Sequence, residues 1–159
     1  MENITRLLSN DHDRLDALLF QADANAQAYE SFRRGLLKHV GMEEMILLPA
    51  VKRLRGAPLE LAAKIRLDHG ALTALMIPSP TPAVLKAVRA ILTEHNRLEE
   101  QAGGLYEQCE EALGAEAPKV LEALEKAPDI PPAPHVDSPQ ALASVRRALA
   151  AAGYGTLDL

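Results

Sequence analysis

One arrangement of residues occurs twice along the chain and narrows its possible folds more than anything else in it. His12 is followed by His39 with Glu43, and His69 by His95 with Glu99, the second set lying 57, 56 and 56 residues after the first. Four of the five histidines belong to this pattern. A residue four positions beyond another lies one turn further along the same helix face, so each His-x-x-x-Glu turns an imidazole and a carboxylate toward one point.

The apolar residues around these positions repeat at steps of three and four, the spacing of amphipathic helices. A first stripe begins near Ile4 and runs through Leu8, His12, Leu15 and Leu19, fading near Asn25. A second carries Phe32, Leu36, His39, Glu43, Ile46 and Leu47; Pro49 should bend it or end its regular part, and Gly56 and Pro58 stop it. The third, from about Leu59, places Ala62, Ile65, His69, Leu72 and Met76 on one face and ends at Pro78-Ser79-Pro80-Thr81-Pro82. The fourth carries Val88, Ile91, His95, Leu98, Glu99, Ala102, Tyr106 and Cys109, and crosses Gly103-Gly104, which should weaken the helix locally. Four such helices with short connections predict an all-α, up-down-up-down four-helix bundle over residues 1–127.

Beyond it, Pro118 is expected to open a short helix through Leu124. Pro128, Pro131, Pro132, Pro134 and Pro139 predict an extended linker. A last helix should have Ser138 as N-cap, Pro139 in its first turn and Gly153 past its end. Residues 128–159 are therefore expected to form a proline-rich linker and a short C-terminal helix. Its Leu142, Val145 and Leu149 need the outside of the bundle, or a partner protein, to cover them.

The length of 159 residues favours one domain. Scarce aromatics, no Trp and abundant Leu, Ala, Glu and Arg suit helices. A net charge of −5 argues against a nucleic-acid or anionic-membrane partner. The basic stretch Lys52, Arg53, Arg55 reads as a helix C-terminus complementing its dipole. One cysteine allows no internal disulfide, no stretch approaches a membrane span, and the N-terminus lacks a charged start leading into an apolar run. The expectation is a soluble cytoplasmic protein of unspecified oligomeric state.

All four histidines replace Leu, Ile or Val on their stripes, so all should point inward. One such histidine is ordinarily a core residue satisfied by a hydrogen bond; four together with Glu43 and Glu99 are another matter. An isolated buried carboxylate costs several kcal/mol, and two in one core repel. A multivalent cation bonded to their oxygens removes both difficulties. Imidazole and carboxylate suit iron, manganese or zinc, and four histidines with two carboxylates exceed the needs of one tetrahedral zinc. If each of two metals takes two histidines and both glutamates bridge, each has about four protein bonds, and octahedral iron keeps positions for a bridging oxygen and an exogenous ligand.

The stretches Asp11-His12-Asp13-Arg14, His39-Val40-Gly41-Met42-Glu43-Glu44-Met45-Ile46-Leu47-Leu48-Pro49, Asp68-His69 and His95-Asn96-Arg97-Leu98-Glu99-Glu100 resemble the hemerythrin-like HHE cation-binding family over roughly residues 1–115. The resemblance implies a non-haem di-iron centre, with His12 and His39 on one iron, His69 and His95 on the other, and Glu43 and Glu99 bridging. Oxygen-carrying hemerythrins place a further histidine four residues after the third-helix ligand; here that residue is Thr73. The symmetric set looks more like di-iron proteins linked to nitric oxide stress and iron-sulfur cluster repair, which also carry an N-terminal cysteine-bearing segment.

Tyr106, two turns beyond Glu99 on a continuous helix, could reach the metal, but packing at the bundle end is preferred. Asp16 follows His12 by four, and its counterpart in the second half is Thr73, so symmetry gives it no support as a ligand. Asp11, Asp68 and Glu94 precede ligand histidines and turn about 100° away, which favours solvent or support of a ligand over ligation, and Glu44 and Glu100 are read likewise. Cys109 is expected to be buried filler and His135 exposed. The expected function is binding of, or reaction with, dioxygen, nitric oxide or peroxide in redox or nitrosative stress, sensing or iron handling. The alternatives are a di-iron enzyme that breaks down peroxide or acts as an oxidase, and an adaptor with a structural metal.

Overall fold

A computed structural model describes residues 1–159, and it is built of helices and connections with no strand. No helix is long and apolar enough to cross a membrane. Helix α1 spans Ile4–Gln21 and α2 spans Ala26–Met42. Each starts on an asparagine whose side-chain oxygen accepts from backbone N–H groups of the first turn, Asn3 from Arg6 and Asn25 from Gln27 and Ala28. Beyond one wider turn at Glu43–Leu47 come α3 (Leu48–Arg55), α4 (Ala62–Leu75) and α5 (Pro82–Glu100). Thr81 caps α5 with Pro82 in its first turn, where a missing N–H does no harm.

Two sequence expectations change here. The second stripe is not a uniform helix bent at Pro49. Its regular part stops at Met42, a π-helical turn covers Glu43–Leu47, and Pro49 lies in the first turn of α3. Proline has no N–H to donate and its ring crowds the carbonyl four residues back, so the backbone widens one turn earlier, with the Leu48 N–H donating to Glu43 O. The fourth stripe does not run through its glycines. Helix α5 ends at Glu100, and α6 (Leu105–Leu113) begins afresh beyond Gly103-Gly104. Gly103 has φ +72°, and a Cβ on Gly104 would lie 2.7–2.8 Å from the backbone oxygens of Leu98, Glu99 and Gln101. Glycine is required there by space.

The interior consists of two apolar clusters. Leu15, Leu19, Phe32, Leu36, Leu72 and Ile91 belong to one; Ile4, Leu8, Leu47, Ile65, Leu105 and Cys109 belong to the other. Along α1 the two meet at His12, between Leu8 and Leu15, and along α4 at His69, between Ile65 and Leu72. A belt of buried polar residues therefore divides the core: His12, His39, His69 and His95 with Glu43 and Glu99.

After α6 the chain forms α7 (Ala117–Glu125), with Pro118 in its first turn. Residues 128–137 carry no regular secondary structure, and they form a fastened strap rather than a free tether. Buried Arg33 donates to Met76 O and Ala133 O at 2.8 Å each. The Val136 N–H donates to Ile77 O, and Asp137 accepts from Ser79 N–H and Oγ–H. His135, expected to be exposed, stacks on Tyr29 and reaches Glu30 at 3.1 Å. Helix α8 (Pro139–Ala151) then starts on the Ser138 cap, ends before Gly153 (φ +92°), and buries Val145 and Leu149 in the same cluster as Leu72 and Leu75. The side of the helix assembly thus covers its apolar face.

Candidate metal centre

The six residues singled out from spacing come together in the belt between the two core clusters. All are buried, the two glutamates completely. Their donor atoms fall into two groups, His12, His39, Glu43 and Glu99, and His69, His95, Glu43 and Glu99, each compact enough to hold a metal ion. In the first, His12 Nε2 lies 3.0 Å from His39 Nε2 and 3.2 Å from Glu99 Oε2, and His39 Nε2 lies 3.2 Å from Glu43 Oε1. In the second, His69 Nε2 lies 2.9 Å from Glu43 Oε2, and His95 Nε2 lies 3.0 Å from Glu99 Oε1. Each carboxylate gives one oxygen to one histidine pair and its other oxygen to the other pair.

The donors fit a cation better than they fit one another. Glu43 Oε2, His69 Nε2 and Glu99 Oε1 are buried atoms without a hydrogen-bond partner, although nitrogen and oxygen stand close enough to form one. A buried polar atom left unbonded costs about 1–3 kcal/mol, more when it is charged. All three belong to the second group, where a cation bonding to the lone pairs would satisfy them together.

Each of the four histidines is held from behind at Nδ1 by a carboxylate. Asp11 meets His39 at 2.9 Å, Asp68 meets His95 at 3.2 Å, Glu44 meets His69 at 2.7 Å, and Glu100 contacts His12. The pattern obeys the twofold repeat. The acid before His12 or His69 supports the belt histidine of the next helix, His39 or His95, and the acid after Glu43 or Glu99 supports a histidine across the belt, His69 or His12. Such a contact fixes the ring so that Nε2, not Nδ1, faces the centre, and it makes the nitrogen a better donor. The sequence left Asp11, Asp68, Glu44 and Glu100 either to solvent or to the support of a ligand, and the structure gives each of them a histidine. Glu94 instead pairs with Arg97 at the surface. Three of the supporting acids are themselves neutralised: Asp11 by Arg14, Glu44 by Arg66 and Asp68 by Lys64. Lys64 also donates to Ala152 O at the end of α8, so the C-terminal helix is tied to the group that orients His95.

Tyr106 is the residue the sequence under-weighted. The expectation of packing at a bundle end is incorrect, because the break at Gly103-Gly104 re-aims the chain and α6 brings the phenol into the belt. Its hydroxyl donates to Glu43 Oε1 at 2.6 Å or Glu99 Oε2 at 3.0 Å and lies 3.1 Å from His12 Nε2. It therefore touches all the residues of the first group and none of the histidines of the second. Burial and the two carboxylates hold its pKa well above the usual phenol value. Thr73 is turned away, its hydroxyl donating to His69 O at 2.8 Å. Asp16 is exposed and makes no contact with a ligand histidine's ring nitrogen. Cys109 is buried as filler, as expected.

Charge balance follows from the pairing. Burial alone would lower the pKa of His39, but Glu43, Asp11 and Glu99 reverse this and raise it to about 10. His95 reaches about 10 for the same reason, with burial opposed by Glu99 and Asp68. Burial pushes Glu43 up, and His39 and His69 more than offset it, leaving the carboxyl well below its ordinary value. Without a cation the belt is held by imidazolium and carboxylate charges. No family model, curated protein or solved structure matches the chain.

Proposed function

We propose that the chain is a hemerythrin-like four-helix bundle whose belt holds a carboxylate-bridged pair of iron ions, and that it binds or reacts with a small ligand such as dioxygen, nitric oxide or peroxide. The observation that carries this reading is the division of Glu43 and Glu99, one oxygen of each toward His12 and His39 and the other toward His69 and His95. Along α1 and α4 the residues pass from the Leu8 and Ile65 cluster to the Leu15 and Leu72 cluster, and along α2 they pass the other way, which supports the up-down order.

Four imidazoles and two carboxylates exceed the needs of one tetrahedral zinc, which favours a pair of higher-coordinate ions such as iron or manganese. Bound iron would supply redox-active positions for a small exogenous ligand. The residues of the chain exclude bulk water, hold the imidazoles by their Nδ1 contacts and, through Tyr106, place one O–H donor beside the first position only. Thr73, bonded to its own helix, leaves the histidine count equal on the two sides, which favours a reactive or sensing centre in a redox or nitrosative stress response over a dedicated oxygen carrier.

Protein loaded with iron and reduced without oxygen should change its visible spectrum on addition of nitric oxide and regain it on removal. An unchanged spectrum at full iron content would contradict the ligand-binding reading, and continued consumption of peroxide would favour an enzyme. Metal uptake should also depend on pH in a defined direction. His39 and His95 carry protons up to about 10 in the metal-free protein, and a metal needs them neutral, so binding releases protons. Between pH 6 and 8 the apparent affinity for each ion should rise at least about tenfold per pH unit, His39 losing a proton at the first position and His95 at the second. Titration at three pH values measures the slope, and a flat profile would contradict it.

A further inference from the structure

Of the four carboxylates behind the belt histidines, Asp68 alone is completely buried. Asp11, Glu44 and Glu100 keep 19%, 27% and 37% of their side-chain surface in solvent, where water can serve their spare lone pairs. Asp68 has no such help, and it divides its oxygens between two partners. Its Oδ2 faces His95 Nδ1 at 3.2 Å, and its Oδ1 accepts from Lys64 Nζ at 2.6 Å. A buried carboxylate is strongly disfavoured without a paired cation. Lys64 is therefore the group that keeps Asp68 charged and aimed at His95.

The other contacts of Lys64 lead away from the belt. An ammonium has three N–H donors. Beside Asp68, they meet Ala152 O at 2.8 Å and Tyr154 Oη at 3.5 Å, and the Tyr154 ring lies 4.5 Å from Nζ. Ala152 ends α8, where carbonyls lack partners within the helix and the dipole favours a positive charge, so Lys64 caps that helix from α4. Around it Val145, Leu149 and Ala152 are buried in the cluster of Leu72 and Leu75, with Tyr154, Leu157 and Leu159 packed against them. The cations on the other supporting acids reach no third element. Arg14 bonds to Asp11 and Arg66 to Glu44, and Glu100 pairs with His12. Only His95 is connected, through Asp68 and Lys64, to the C-terminal segment.

We propose that Lys64 is a positioning residue for the second metal position, that of His69 and His95, and that through it docking of the C-terminal segment and occupancy of that position strengthen each other. The proposal rests on the metal-site reading above and deepens it by making the two positions unequal. An ion on Nε2 fixes the His95 ring, the ring fixes Asp68 at Nδ1, and Asp68 holds Nζ where the end of α8 can bond to it. Undocking of α8 takes two of the three partners from Lys64, which is then free to swing into water and leave Asp68 and the ring loosely held. Linkage is reciprocal, so metal affinity and α8 docking change by the same factor. The first position has no contact of this kind with α8.

The test uses the full chain, titrated with ferrous iron in the absence of oxygen, with amide hydrogen exchange of α8 followed in the metal-free and loaded forms. Loading should slow α8 exchange about tenfold in the wild type. Lys64→Met keeps the length of the side chain and loses its donors. It should weaken one of the two ions about tenfold, the lower end of the range for a contact behind a ligand, and abolish the slowing. Tyr154→Leu, which touches none of the six ligands, should weaken the same ion about threefold. Lys64→Arg keeps charge and donors and should stay within about threefold of the wild type. In a His95→Ala background, Lys64→Met should change the affinity of the remaining ion less than about twofold, because the coupling passes through His95. A lysine that only fastened α8 would, when replaced, speed exchange equally with and without metal and leave both affinities unchanged. That result, or a tenfold loss at both ions, would overturn the proposal and leave the metal site standing. A wild-type protein that takes up no metal would overturn both readings, and its metal content separates that outcome from the others.

Discussion

Glu99→Ala should cost the protein both of its metals, not one. The carboxylate gives Oε2 to the His12 side and Oε1 to the His95 side, so its removal takes a bond from each position and leaves the two charges with only Glu43 between them. Glu43→Ala should behave in the same way, since its oxygens divide between His39 and His69. Metal content measured after loading and desalting should fall from two per chain to well under half of one. His95→Ala provides the contrast, because it removes a donor from one position alone and should leave the other partly filled. Glu44→Gln keeps every direct ligand and loosens only the grip on His69 Nδ1; an affinity loss of about 10–100-fold is the expected scale for such a contact. A Glu99→Ala protein that still holds one metal would show that the carboxylate serves a single position.

Gly104→Ala should be the most damaging small change outside the belt. The added methyl would stand 2.7–2.8 Å from three backbone oxygens, among them that of Glu99, and backbone cannot move aside as a side-chain tip can. Relief requires displacing the end of α5 or the start of α6, which carry Glu99 and Tyr106. An overpacking cost of about 3 kcal/mol is expected, and for a domain of this size that lowers Tm by about 6–12 °C. Gly70→Ala is the matched control. Gly70 lies within α4 with open space around it, and alanine there should stabilise by about 0.5–1 kcal/mol. Thermal unfolding of the two variants should therefore move in opposite directions. Equal shifts would contradict the packing argument.

These two predictions also mark what the sequence could and could not tell. His12, His39, Glu43, His69, His95 and Glu99 were legible because helical spacing fixes direction: a polar residue on an apolar stripe must face the core, and six of them must meet. The supporting acids were legible only as non-ligands, either solvated like Glu94 or supporting, because which acid reaches which histidine depends on how neighbouring helices are rotated, and that is set by packing. The π-helical turn at Glu43 was hidden because a proline signals disruption without saying whether the chain bends, stops or widens. Tyr106 was misplaced for a related reason. Reading α5 straight through Gly103-Gly104 put it two turns beyond Glu99, whereas the break sends it back into the belt from a new helix. The signal was present in the adjacent glycines, and their cost of roughly 1 kcal/mol each relative to alanine understated it. The prolines at 128–137 rightly signalled a stretch without helix, but its fastening by Arg33, Ser79 and Val136 comes from contacts between distant parts of the chain. Proline content alone carries no information about such contacts.

The central claim is that two histidine pairs share two carboxylates around two metal ions. Metal analysis of the full chain, expressed in iron-replete medium and purified without chelators, measures this directly. Two metal ions per chain, predominantly iron, falling together in Glu43→Ala and Glu99→Ala, is the predicted result. One ion or none per chain, unchanged by either substitution, would contradict it.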